Sequence, residues 1–315
     1  MIAINTRGGK THEHAPEGHF APDPAPGHGA PPCGASMNFR TILVHLDRSV
    51  RSRARAALAA RWARSHESHL VGLVPTGLHD GVIPADAIAT GMTDYIAESA
   101  DYLRRRAEGI AREFRQDIAA SGPLSYEVQM VDGVTQDAVV RYGHASDLVV
   151  LGQSDDSTRK DSITHGLAEQ VLMEVGRPVL VVPSAGEFPG VPKNIVMAWD
   201  GSREAAVALH AALPALRGAR VTLLSLRHPR DEGDAQRLLM HDMIQFLLRH
   251  GVQARAESEV TEIGIADALL SRVSDLGADL LVMGAYSHSR LRERILGGVT
   301  RQILAQMTVP VLMAH

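Results

Sequence analysis

From Thr41 onward, short runs of Val, Leu and Ile alternate with longer Ala- and Leu-rich stretches. The short runs predict ten strands, at Thr41–Leu46, His69–Val74, Ser125–Val131, Asp147–Leu151, Pro178–Val182, Asn194–Ala198, Arg220–Leu226, Gln253–Val260, Asp279–Met283 and Val309–Met313. Between them, spacings of three and four mark helices. Ala206, Leu209, Leu213 and Leu216 form one apolar stripe, and Ile265, Leu269, Val273 and Leu276 another. Strands that are apolar at nearly every position imply a parallel sheet covered on both faces, with helices as the crossovers. Residues 1–36 break this pattern. They are rich in proline and glycine, carry four histidines and almost no large aliphatics, and read as a disordered leader with Met37 placed to serve as a start.

The two halves repeat one plan. Leu-Asp-Arg-Ser after the first strand answers Trp-Asp-Gly-Ser after the sixth, so Asp47 corresponds to Asp200 at an offset of 153. The fourth strand of each half ends at Gly152 and Gly284, and the fifth begins near Pro178 and Pro310, both at an offset of 132. The difference of 21 residues is expected in the first copy, between Thr76 and Thr93. The predicted fold is therefore α/β: a leader over 1–37 and two tandem doubly wound domains, each with a five-stranded parallel sheet, over 38–184 and 193–315. The turn-rich Ser184–Pro192 joins them as an internal pseudo-dimer.

Composition narrows the chemistry. A net charge of -4 argues against a protein that coats nucleic acid, and one cysteine leaves no disulfide framework or Cys-rich zinc site. No apolar run is long enough to span a bilayer, and the N-terminus lacks a signal-peptide pattern, so the expected compartment is the cytoplasm. Gly9-Lys10-Thr11 lacks the first glycine of a Walker loop, and His12-Glu13-His14 lacks the spacing of a zinc helix. The helix from Arg51 to His66 carries Arg51, Arg53, Arg55, Arg61 and Arg64 and reads as an amphipathic surface helix. No Cys/His or Ser/His/Asp set falls on strand ends, and no enzymatic activity is expected.

In a doubly wound sheet, ligands sit beyond the carboxyl ends of the strands. Asp47, Asp200 and the segments after the fourth strand of each half lie there. In the second half, Gly284 leaves the strand, a basic loop with Arg290, Arg292 and Arg294 follows, and Gly297-Gly298 opens the next helix. Free amides at a helix start favour an anion, and glycine lets a phosphate approach the main chain. In the first half the corresponding loop carries Asp155, Asp156 and Asp161 against Arg159 and Lys160. Its net charge is -1, against +2 for residues 284–296, so the first half is expected to have lost a phosphate site. Asp47 is then a turn-forming aspartate, and Tyr286 a packing residue.

The duplicated plan, the repeated Asp and the Gly-loop-Gly-Gly segment resemble the universal stress protein family in its two-domain form, over roughly residues 38–315. The resemblance implies an adenine-nucleotide alpha hydrolase-like fold and a stress-response role. It also implies ATP or a related adenine nucleotide as ligand, and admits Mg2+ alongside ATP. Asp200 would contact the base. Met283 and Gly284, the loop position Ser287, and Gly297, Gly298 and Val299 would flank ribose and phosphates, with Thr300 the nearest hydroxyl. Two positions depart from the family's ATP-binding pattern. Ser287 stands where a glycine is expected, at a cost of roughly 1–2 kcal/mol if φ is positive there, and Gly298 replaces a Ser or Thr. The expected mechanism is conformational, with occupancy altering a surface for an unknown protein partner or a second copy of the chain. Two other readings stand beside it. One is a scaffold or chaperone-like protein with both pockets degenerate. The other is a relative of adenylating enzymes or electron-transfer flavoproteins.

Overall fold

The computed structural model describes residues 38–78, 80, 93–154, 166–188, 190–229, 234–286 and 298–315. Ten strands form one sheet in the order β3-β2-β1-β4-β5-β10-β9-β6-β7-β8. The first half supplies β1 (Thr41–His45), β2 (His69–Pro75), β3 (Tyr126–Val131), β4 (Leu148–Gly152) and β5 (Val179–Val182). The second supplies β6 (Asn194–Ala198), β7 (Arg220–Arg227), β8 (Gln253–Val260), β9 (Leu280–Gly284) and β10 (Val311–Ala314). Within each half every pairing is parallel, and the first strand lies between the second and the fourth. The halves meet where β5 and β10 run antiparallel, Leu180 opposite Leu312. Both predicted sheets are therefore present, fused edge to edge through their last strands, so the joint is a continuous ladder. Central strands are buried at nearly every position because helices cover both faces; β8, at the edge, is mostly polar and has no fully buried residue.

The helices are α1 (Ser52–His66), α2 (Thr93–Ala120), α3 (Thr135–Gly143), α4 (Leu167–Glu174), α5 (Arg203–Leu216), α6 (Asp234–Arg249), α7 (Ile265–Asp275) and α8 (Gly298–Gln306). One apolar layer gathers α1, α2, α5 and α6 residues against one face of the sheet; α3, α4, α7 and α8 supply the other. The extra residues of the first copy lie only partly where the sequence places them. The α2 helix has 28 residues against 16 in α6, so the surplus is shared between the connection after β2 and a longer helix. An added stretch in helical phase with its host continues the same periodicity, which is why its boundary is hard to read. No helix among the described residues is long and apolar enough to cross a membrane.

The α1 helix departs from the surface reading at one position. Arg53 pairs with Asp117 of α2, Arg61 donates to the Phe188 carbonyl and Arg64 to the Ser121 hydroxyl, while Arg51 reaches the Gly186 carbonyl. Two of the five thus fasten the linker to the first half. Arg55 instead points inward, is 3% exposed, and lies on the buried stripe of Ser52, Ala59, Trp62 and His66.

Candidate functional site

The carboxyl ends of β6 and β9 carry the second-half cleft. These strands are neighbours with Met197 opposite Val282, so continuing the register brings Asp200 level with Ala285, one residue beyond Gly284. Asp200 is exposed, and its Oδ1 accepts the Ser202 amide at 2.9 Å. That turn sets up α5, whose N-cap Ser202 accepts the Ala205 amide at 3.1 Å. Met283 is buried in the strand ladder. Gly284 is a glycine for a packing reason: an added Cβ would sit 2.5 Å from the Ala205 nitrogen and 2.5 Å from the Glu204 carbonyl carbon. The start of α5 therefore lies directly against the end of β9, and this contact aims the Asp200 turn at the cleft.

The first turn of α8 forms the other side. Gly298 is exposed, with no atom of the described residues within 4 Å of where a Cβ would stand. Val299 is 37% exposed, whereas Thr300 is buried, its hydroxyl accepting the Tyr286 amide at 3.2 Å. This bond ties the helix start to the exit of β9, where Tyr286 turns with φ of 58°. Asp200 thus lies at the β9 exit by register, while Gly298, Val299 and Thr300 open α8, joined to that exit through the Thr300–Tyr286 bond. Ser287, Gly297 and the three loop arginines lie outside the described residues. Tyr286 does pack, but its hydroxyl is also buried with no hydrogen-bond partner among the described residues. Burial, and then the charge of Glu169 on α4, push its ionisation above the usual phenol range.

The equivalent place in the first half is built differently. Asp47 Oδ1 accepts the Ser49 amide at 2.9 Å and its hydroxyl at 2.6 Å, the predicted turn. The turn is not its whole role, because Oδ2 pairs with Arg55 at 3.0 Å. Arg55 Nε also donates to the His45 carbonyl at 2.9 Å, and Nη1 packs directly over Gly152. At the repeat offset of 153, Arg55 stands where the second half has Ala208. Burial alone would push the Asp47 carboxyl upward. The Arg55 guanidinium, His45 and the Ser49 hydrogen bonds outweigh it and hold the group well below the usual carboxylate range. His45, driven by burial and by Arg55 against the pull of Asp47, falls to about 4. His66, packed at 5.0 Å from the Phe39 ring, falls by burial to about 4.

Both histidines are therefore neutral when folded and take up protons more readily when unfolded. Stability is predicted to fall as pH drops from about 6.5 toward 4, by up to about 1.4 kcal/mol per pH unit for each. Denaturant titrations at several pH values check this; His45→Asn should flatten the slope, and an unchanged slope would contradict the assignment.

Gln153, one residue past Gly152, links the halves. Its side-chain amide donates to the Leu304 and Ala305 carbonyls at 2.8 and 3.0 Å, in the last turn of α8, and accepts the Ser184 amide at 2.8 Å. The helix that begins at the second-half cleft is thus held at its far end by the wall of the first-half cleft. Nothing in the sequence marks this role, since the partners lie 151 and 152 residues away. Among the described residues no group of three or more His, Cys, Asp or Glu could hold a metal ion.

The universal stress protein family profile matches residues 192–315, the whole of the second half. The second half is a universal stress protein domain. Universal stress protein Slr1230 of Synechocystis sp. is 23% identical over 234 residues, covering 74% of this chain and 80% of that protein. Among solved structures, a universal stress protein from Archaeoglobus fulgidus superposes with a TM-score of 0.68 at 19% identity, covering 87% of this chain and 95% of that one. A putative universal stress protein from Pseudomonas aeruginosa UCBPP-PA14 follows with 0.51 at 18%, covering 88% and 93%. These two likenesses run through both halves, so the universal stress protein fold extends to the first copy as well.

Proposed function

We propose that the chain is a cytoplasmic stress-response regulator that binds one adenine nucleotide, ATP or a close relative, in the second half, without an enzymatic step of its own. The observation that carries this reading is the contrast between the two clefts. In the second, Asp200 is exposed, and no atom of the described residues stands within 4 Å of where a Cβ would sit on Gly298. In the first, a buried Arg55 fills the corresponding region. The residues fit the ligand: the first-turn amides of α8 suit phosphate, and no acidic side chain in that turn opposes it. Asp200 would read the base, and Mg2+, if it accompanies ATP, would be held chiefly by the phosphates. Because Gln153 grips the other end of α8, a shift of that helix on binding would reach the first half and a surface for a protein partner. Calorimetry with ATP on the full chain tests the reading. Asp200→Ala is expected to lower affinity roughly tenfold or more with little change in melting temperature; unchanged affinity rejects the assignment.

One observation favours a second reading, a scaffold with neither cleft occupied. The Thr300 hydroxyl is buried and already accepts the Tyr286 amide, so it is drawn away from any phosphate. That reading predicts no heat of binding and no nucleotide released from the purified chain.

A further inference from the structure

The amino ends of β6, β7 and β8 hold a cavity of about 430 Å³, bordered by Asn194, Arg220, Thr222, Arg255, Leu276 and Ala278. Sites for small molecules run to about 300–1,000 Å³, so it has the room of one. It lies at the opposite end of the strands from the nucleotide cleft. Register puts its polar side chains on one face of the sheet: Asn194 stands opposite Arg220, and two residues along the strand Thr222 stands opposite Arg255. The α7 helix ends at Asp275, and Leu276 and Ala278 just beyond it form an apolar wall. Arg220 is aimed before any ligand arrives. Its Nε donates to Asn194 Oδ1 at 2.9 Å, and Asn194 is itself pinned, donating to the Gly277 carbonyl at 3.3 Å and through its amide to Asp279 at 3.1 Å. Arg220 is exposed and has no carboxylate partner among the described residues. Arg255 differs: Nε donates to the Thr222 hydroxyl at 3.2 Å and Nη2 pairs with Glu257 at 3.0 Å, so its charge is met. The fold does not require this arrangement. At the same register positions the first half carries His69, Val71 and Glu127 for Arg220, Thr222 and Arg255.

We infer that this cavity is a binding site for a small organic carboxylate, its charge on Arg220 and its apolar body against Leu276 and Ala278. One unmatched cation calls for a monoanion, and a guanidinium offers a carboxylate two parallel hydrogen bonds. Because Arg220 is already held at Nε, little side-chain freedom remains to be lost on binding. Arg255 draws Glu257 to itself, and no carboxylate stands among the residues bordering the cavity to repel the ligand. The inference does not depend on nucleotide binding in the second half.

Fluorine NMR titration of the full chain with para-trifluoromethylbenzoate tests it, with and without saturating ATP. The ATP arm separates this cavity from the nucleotide cleft, because any probe held at the α8 start is displaced there. One benzoate per chain is expected to bind saturably and to stay bound with ATP present. The neutral para-trifluoromethylbenzamide should bind roughly tenfold more weakly, and Arg220→Gln should weaken the benzoate by a similar factor. Arg255→Glu, which copies Glu127 of the first half, should also weaken it by setting a like charge beside the carboxylate, and keeps the test decisive if Arg220→Gln fails to fold. Absence of saturable binding would overturn the inference. So would binding that ATP abolishes, equal affinity for the amide, or affinity unchanged in both variants.

Discussion

Gly284→Ala is expected to lower the unfolding free energy by about 3 kcal/mol, the upper part of the range for overpacking a rigid contact. The added carbon would stand 2.5 Å from two backbone atoms of α5, so a rotamer change cannot relieve it; the helix or the strand end must move. The helix carries the Ser202 cap and, just before it, the Asp200 turn, so the same displacement should weaken nucleotide binding. Loss of stability and loss of affinity are therefore coupled in this variant and separate in Asp200→Ala. The matching change in the first copy, Gly152→Ala, meets the tip of the Arg55 side chain, which can give way, and about 1 kcal/mol is expected. Urea unfolding of both variants checks the difference. Equal, small effects would mean that α5 does not bear on β9 as described.

Asp47→Asn should destabilise the chain by about 3 kcal/mol, at the lower end for breaking a buried pair because the Asp47 side chain is 20% exposed. The cost comes from Arg55, which would be left 3% exposed with a carbonyl and a distant hydroxyl but no anion. Removing both charges should cost less than removing one. The double variant Asp47→Ala with Arg55→Ala gives the first half the alanine that the second carries at Ala208, and part of the loss is expected to return. The pair also has a pH signature. With its folded ionisation held below the usual range, Asp47 contributes stability above its unfolded value of 3.8 and loses it as pH falls through the lower folded value. Chemical denaturation of the two single variants and the double closes the cycle; strictly additive losses would show that the two residues do not act as a pair.

Much of this architecture is written in local sequence. Buried parallel strands need apolar residues on both faces, so runs such as Leu148–Leu151 and Leu280–Met283 announce themselves, and their repetition exposes the duplication. The Asp200 turn and the glycine at 284 were legible too, although the glycine's packing against α5 was not, because it depends on a helix some 80 positions earlier in the chain. Arg55 was misplaced on a surface face for an instructive reason. Arginine is rarely buried, so its residue type outweighed its helical phase, which is that of Ser52, Ala59, Trp62 and His66. Partner chemistry was the missing clue: an aspartate eight positions before it, at the end of the strand that α1 covers. Gln153 belongs to the same class, a polar group whose meaning is set by residues far away in sequence.

The asymmetry of the clefts makes a stoichiometric statement. Arg55 and Asp47 narrow the first, whereas in the second no atom of the described residues stands within 4 Å of a Cβ on Gly298. Titrating the full chain with ATP in a calorimeter measures this directly. The account predicts a single equivalent per chain, with binding weakened in Asp200→Ala; two equivalents, or none, would contradict it.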